Sequence, residues 1–245
     1  MNGVGACNKV WLGSWPLLNV AYGRTRKGRS VQFSVITPNG NIPSLLREDG
    51  VMKLLHAEEL DRFPRDDLRV WAHLHGRYGL PTVELVTWLK NFIGSRKAIE
   101  IGSGAGDLCA HLGITGTDNW QQTWPDVRAR YALMRQPVIR YPDFVEKYDA
   151  VEAVRVHRPD VVVGSWITSW IDPNLPVPPG GGNVYGVKED VLLDQGVTYV
   201  LIGNLATHGQ KPILSLPHEE HALPFIRSRA LKPELDRVFI WHGVM

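Results

Sequence analysis

Two cysteines in 245 residues, Cys7 and Cys109, are too few for a disulfide framework, and neither stands in a closely spaced Cys/His set suited to zinc. No apolar run approaches the roughly 18 residues that cross a membrane, and the N-terminus, MNGVGACNKVWLGSWPLLNV, has no basic start followed by a long apolar block. There is no excess of one charge. Twenty-seven Lys and Arg face 25 Asp and Glu for a net +2, so whole-molecule electrostatics points to neither nucleic acid nor acidic lipid. No internal repeat of solenoid period occurs. These absences lead to the expectation of a soluble, cytoplasmic protein in a reducing compartment, with no membrane partner and no metal; they leave the oligomeric state open. A hydrophobic content of 44% with 21% charged residues is enough for one main domain with appendages.

The segment Ser30–Ile36 alternates, with Val31, Phe33 and Val35 on one face, and runs into the turn Thr37–Asn41; the basic cluster Arg24–Arg29 ahead of it reads as a solvated hairpin turn or a phosphate-binding loop. From Ser44 to about Ile93 apolar residues recur at helical steps, predicting at least three helices, the last opened by Pro81 and closed by Gly94. Beyond Gly94 strands and helices alternate. Lys97–Ile101, GITGTD, Pro137–Phe144, Asp160–Ile167 and Val197–Asn204 read as five strands with helices between them. That pattern predicts a doubly wound, mostly parallel α/β sheet over 81–245, behind a strand and helical extension at 1–80. A helix is expected around Glu219–Arg229, and the tail segments KPILSLP and Arg237–Val244 are expected to supply antiparallel edge strands.

Within this frame one stretch stands out: AIEIGSGAGDLCAHLGITGTDNW, Ala98–Trp120, sets three glycines on alternate positions directly behind a strand. Bare backbone at a first strand-to-helix turn lets a flat or charged ligand approach amide hydrogens that the helix leaves unpaired. The spacing sorts the ligands. A dinucleotide fingerprint wants a small residue at 107, where this chain has Asp107, and a phosphate loop wants a Gly-Lys-Ser/Thr that does not follow.

Glu100–Gly106, E-I-G-S-G-A-G, resembles the acid-x-Gly-x-Gly-x-Gly first motif of the class I S-adenosylmethionine-dependent methyltransferases, and the resemblance extends over roughly Pro81–Asn204. It implies a Rossmann-like fold, S-adenosylmethionine as cofactor and methyl transfer as activity. By this resemblance Glu100, Gly102, Ser103, Gly104 and Gly106 surround the cofactor at the first turn, with Glu100 and the backbone near Gly102 toward its methionine end. Asp118 falls where the family places the acid that holds both ribose hydroxyls. Asp143, ending the expected third strand, matches the position that binds the adenine amino group, with Phe144 against the ring and Asn119 and Trp120 on its other side.

Past the fourth strand, the Asp/Asn-Pro-Pro-aromatic motif of enzymes that methylate base or glutamine nitrogen is missing. Ser165 and Trp166 stand there and are taken as cofactor-facing; the departure implies a small-molecule methyl acceptor, with nucleic acid not indicated. The Pro- and Gly-rich stretch Asp172–Gly182 reads equally as a pocket cover or a plain connector. Trp166, Trp170 and Tyr185 around it either wall an acceptor site or cover the sheet edge. His208, after the fifth strand, and Asp172 are the candidate general bases. His218 and His221 in PHEEH are three apart and lack the spacing that puts two nitrogens on one metal. Two rival readings stay open: a regulatory protein that binds the cofactor and methylates nothing, and a nicotinamide-dependent oxidoreductase, which the glycine spacing disfavours.

Overall fold

The computed structural model describes residues 42–133, 136–174 and 182–243. The segments Arg24–Arg29, Ser30–Ile36 and Thr37–Asn41, and 175–181 of the Pro/Gly-rich stretch, lie outside the described residues. In chain order the first half comprises α1 (Ala57–Leu60), α2 (Arg65–Leu74), β1 (Gly79–Leu80), α3 (Val83–Ile93), β2 (Ala98–Ile101), α4 (Asp107–Leu112), β3 (Thr115–Asp118) and α5 (Pro125–Leu133). The second half adds β4 (Val145–Lys147), α6 (Ala150–His157), β5 (Val161–Ser165), α7 (Glu189–Leu193), β6 (Thr198–Asn204), α8 (Leu205–His208), β7 (Glu219–His221), β8 (Arg227–Ser228) and β9 (Asp236–Trp241).

Seven strands form one sheet in the order β4-β3-β2-β5-β6-β9-β7. The five from β4 to β6 are parallel, and β9 and then β7 close the far side antiparallel. The central strands are apolar on both faces because helices cover both. On one face Ala153 and Val154 of α6 and Leu192 of α7 pack with Ile101, Val162 and Leu201; on the other, Leu85 and Leu89 of α3 and Leu112 of α4 pack with Val161, Val163 and Val200. Residues 42–80 bring a third core of their own, around Met52, Leu60, Trp71 and Leu80, and β1 pairs antiparallel with β8. No helix among the described residues is long and apolar enough to cross a membrane.

The doubly wound sheet is as expected; several elements are not. The expected third strand, Pro137–Phe144, has no regular structure, and its place is taken by the three residues of β4, in register with β3 through Gly116 and Val145. Pro137 and Pro142 have no amide hydrogen to give a ladder, which disfavours the earlier segment. Between Glu219 and Arg229 there is no helix but two short strands split by Pro224, because β9 offers β7 an antiparallel partner. Glu219 there accepts from both His221 (3.0 Å) and His242 (2.9 Å). KPILSLP contributes a 3-10 turn, Pro212–Ser215, rather than a strand. Of the helical run from Ser44, only α1 forms before residue 65.

The strand order places the site. The chain runs outward from β2 to β3 and β4 and then returns to β5 on the other side of β2. The crevice beyond the carboxyl ends of β2 and β5 is therefore the topological switch point, where ligands bind in open α/β sheets.

Candidate functional site

β2 ends at Ile101 and the chain turns through Gly102 (φ +58°) and Gly104 (φ +55°), left-handed angles that favour glycine. The turn is tied down by Ser103, whose N–H donates to the Thr117 carbonyl (3.0 Å) and whose hydroxyl donates to the Glu100 carbonyl (3.1 Å). The backbone of 102–105 lines a cavity of about 160 Å³. The glycines make room for the chain's own side chains as well. A β-carbon on Gly102 would stand 2.5 Å from Ile167 Cδ1, one on Gly104 3.1 Å from Ile139 Cδ1, and Gly106 lies under the ring of Phe144. The hollow over the turn is thus walled by Ile139 and Ile167.

Asp107, which spoils the dinucleotide fingerprint, has a structural task. Buried at the start of α4, it accepts from the Met52 N–H (2.7 Å) and from the Arg77 guanidinium (2.8 and 3.2 Å), fastening residues 42–80 to the glycine turn. Glu100 is 2% exposed and accepts from the Cys109 N–H (2.8 Å); burial pushes its carboxyl up to about 8. A carboxyl raised in this way stabilises the fold fully below its ordinary value of 4.5, and that contribution is lost as pH rises toward 8. Denaturant titrations between pH 5 and 8 should show wild type losing stability relative to Glu100→Gln, at up to about 1.4 kcal/mol per pH unit. Parallel slopes for the two proteins would mean that Glu100 is ionised throughout.

At the end of β3 the Asp118 carboxylate turns toward the glycine turn. Its Oδ2 accepts from the Gly104 N–H (3.0 Å) and its Oδ1 from the Trp120 N–H (2.8 Å). Burial still holds its pKa above the usual carboxylate range. Asn119 lines the cavity and donates from Nδ2 to the Tyr185 carbonyl (3.0 Å). Trp120 does not line it; its ring stacks on Tyr141, centroids 5.3 Å apart.

Asp143 and Phe144 are exposed and outside the cavity, a consequence of the displaced third strand. The acid that follows β4 is Asp149, which lines the cavity and caps α6 through the Val151 N–H (3.0 Å). Asp149 was legible only as part of a helical run, because a three-residue strand carries too little periodicity to separate it. Tyr78, Tyr141 and Ile139 are further wall residues without a sequence signal, since they come from the irregular segments beside β1 and before β4.

Ser165 and Trp166, at the end of β5, line the cavity. Trp166 sits at φ +58°, and its buried indole N–H has no hydrogen-bond partner among the described residues. Neither candidate base faces the cavity. His208 is buried, its Nδ1 accepts from the Asn204 N–H (2.9 Å), and burial pushes its pKa down to about 3; it packs edge-on against Trp166. Asp172 closes a local turn with Asn174, 2.8 Å to its N–H.

No family model and no curated protein matches the sequence. Solved structures with a related chain course include one from Streptococcus mutans described as "a putative sam-dependent methyltransferase", at 12% identity and TM-score 0.31. SMU.776, "a putative methyltransferase complexed with SAH", stands at 9% and 0.30. Both matches cover 62% of this chain and 47% of the other, so the chain spans about half their length. "A putative RNA methyltransferase" from Pyrococcus horikoshii stands at 12% and 0.30, with 77% of this chain and 94% of that one covered. These are likenesses of fold alone. The last is described as acting on RNA, which stands against the expectation of a small-molecule acceptor with nucleic acid not indicated. With its strand order, its antiparallel edge and its glycine turn at the switch point, the chain has a Rossmann-like, doubly wound α/β fold.

Proposed function

We propose that the protein binds S-adenosylmethionine in the cavity beyond β2 and β5 and transfers its methyl group to an acceptor. The observation that carries this reading is the convergence of the Asp118 carboxylate and the bare Gly102–Gly104 backbone on one cavity at the switch point. The residues present suit an adenosyl group. Each Asp118 oxygen has lone-pair capacity beyond its amide bond, enough to accept ribose hydroxyls, and the apolar side chains of Ile139 and Ile167 give a nucleoside flat walls.

In this reading Asp118 and Asn119 hold the ribose, Asp149 takes the adenine-side position expected of Asp143, and Glu100 with Gly102 and Ser103 walls the methionine end. When bound, the sulfonium supplies an electrophilic methyl group for in-line displacement. The chain's own part is to orient both partners and exclude water, with Ser165 and Trp166 on the acceptor side. His208 has no role as a base here: its Nδ1 is committed to the backbone and its ring is shut off from the cavity.

Isothermal calorimetry with S-adenosylmethionine, S-adenosylhomocysteine and NADH tests this reading. Saturable binding of the two sulfur ligands is expected, and turnover of methyl-labelled cofactor with RNA and metabolite pools then separates an enzyme from a silent binder. Binding of NADH alone, or of none of the three, would overturn the assignment.

A further inference from the structure

An open groove of about 660 Å³ lies beside the cavity, between the segment that follows β3, the turn after β4 and residues 184–188. Four aromatic side chains line it: Trp124, Tyr148, Trp170 and Tyr185. Trp124 and Tyr185 meet edge to face with centroids 4.7 Å apart, and the Tyr185 hydroxyl is fixed by donation to Asp126 (2.7 Å), so these rings are held in place. Two exposed lysines stand among them. Lys188 Nζ lies 4.4 Å from the centroid of the Trp170 ring, and Lys147 Nζ lies 5.8 Å from that of Trp120. Among the described residues neither ammonium has a carboxylate within ion-pair distance. The groove's two acids are already engaged: Asp149 caps α6, and Glu152 faces Arg155 at 3.8 Å. Asn119, Tyr148, Asp149 and Tyr185 belong to both the groove and the cavity, so the two adjoin.

Flat rings that stack and cations that need anions, lining one groove, suit a partner made of planar bases on a phosphate backbone. A duplex has its base faces covered by its own neighbours and leaves such rings nothing to stack on. We propose that this groove binds single-stranded nucleic acid and leads it to the mouth of the cavity. For the purpose of that binding, though not for its chemistry, the proposal rests on the methyltransferase reading above.

The test uses the full chain and a fluorescein-labelled, mixed-sequence 12-nucleotide RNA followed by anisotropy, with the same sequence as duplex and labelled poly-glutamate alongside. The single strand is expected to bind more tightly than the other two. Two lysines neutralising two phosphates predict that its affinity falls about sevenfold between 50 and 200 mM salt. Trp170→Ala should weaken binding by about five- to hundredfold through the lost stacking, with Trp170→Phe retaining most of it. Lys188→Glu should weaken binding and flatten the salt dependence. Equal or tighter binding of poly-glutamate would make the groove a site for acidic peptide and overturn the proposal, as would equal affinity for the duplex or insensitivity to both substitutions. Calorimetry with S-adenosylmethionine on the same variants keeps the two readings apart: a groove that fails while cofactor binds overturns this inference alone.

Discussion

Replacing Glu189 by leucine is expected to destabilise the protein by about 3–5 kcal/mol, read by denaturant unfolding followed through tryptophan fluorescence. Glu189 and Lys211 form an ion pair at 2.5 Å with side chains 4% and 3% exposed. Leucine at 189 strands the Lys211 ammonium, whose pKa burial already lowers, in an interior with no counter-charge. It also strips an acceptor from the buried Tyr199 hydroxyl (2.9 Å) and from Ser169 (3.2 Å). Lys211→Met should cost a comparable amount by leaving the buried carboxylate without its cation. The double substitution should cost less than either single one, because two apolar side chains remove both desolvation penalties together. A loss below about 1 kcal/mol in both single variants would show that water reaches the pair. The consequence extends to the site. Glu189 fixes Ser169, and the backbone of Thr168 and Ser169 bonds to Val187 and Asn183 on the cavity's far wall.

Asp118→Ala should weaken S-adenosylmethionine binding by about 1.5–3 kcal/mol, the scale of hydrogen bonds to a charged group and a loss of roughly ten- to 150-fold by calorimetry. The carboxylate acts twice. It is the proposed acceptor for the ribose hydroxyls, and it already positions the Gly104 and Trp120 amides, so its loss also loosens the turn that the ligand would lie against. Unchanged affinity in a folded variant would remove Asp118 from the ribose site. Gly104→Val is a less clean probe than the sequence suggests. From the sequence it reads as a simple block to the ligand, but at φ +55°, with Ile139 already 3.1 Å from a β-carbon there, it strains the unliganded chain too.

The elements that were legible and those that were not differ in how much local signal they carry. β2, β5 and β6 are runs of β-branched and aliphatic residues buried on both faces, and α3 has an N-cap in Thr82 and a stop in Gly94; burial and capping write such elements into consecutive residues. β4 is three residues at an edge with only Val145 buried, so its strand character comes from the partner β3 and not from its own sequence. The helical composition of Glu219–Arg229 gave way to the antiparallel pairing that β9 supplies.

By itself the sequence determined the alternation of strand and helix, the glycine turn with its left-handed backbone, and the acid one strand further on, because each depends on neighbours in the chain. Only the tertiary structure decided which acid follows the third strand at the cavity, that His208 and Asp172 turn away from it, and that Glu189 meets Lys211 and Asp107 meets Arg77. Those pairings join residues 22 and 30 positions apart. Burial and charge act between such groups once the fold has brought them together, and no local spacing announces the meeting beforehand.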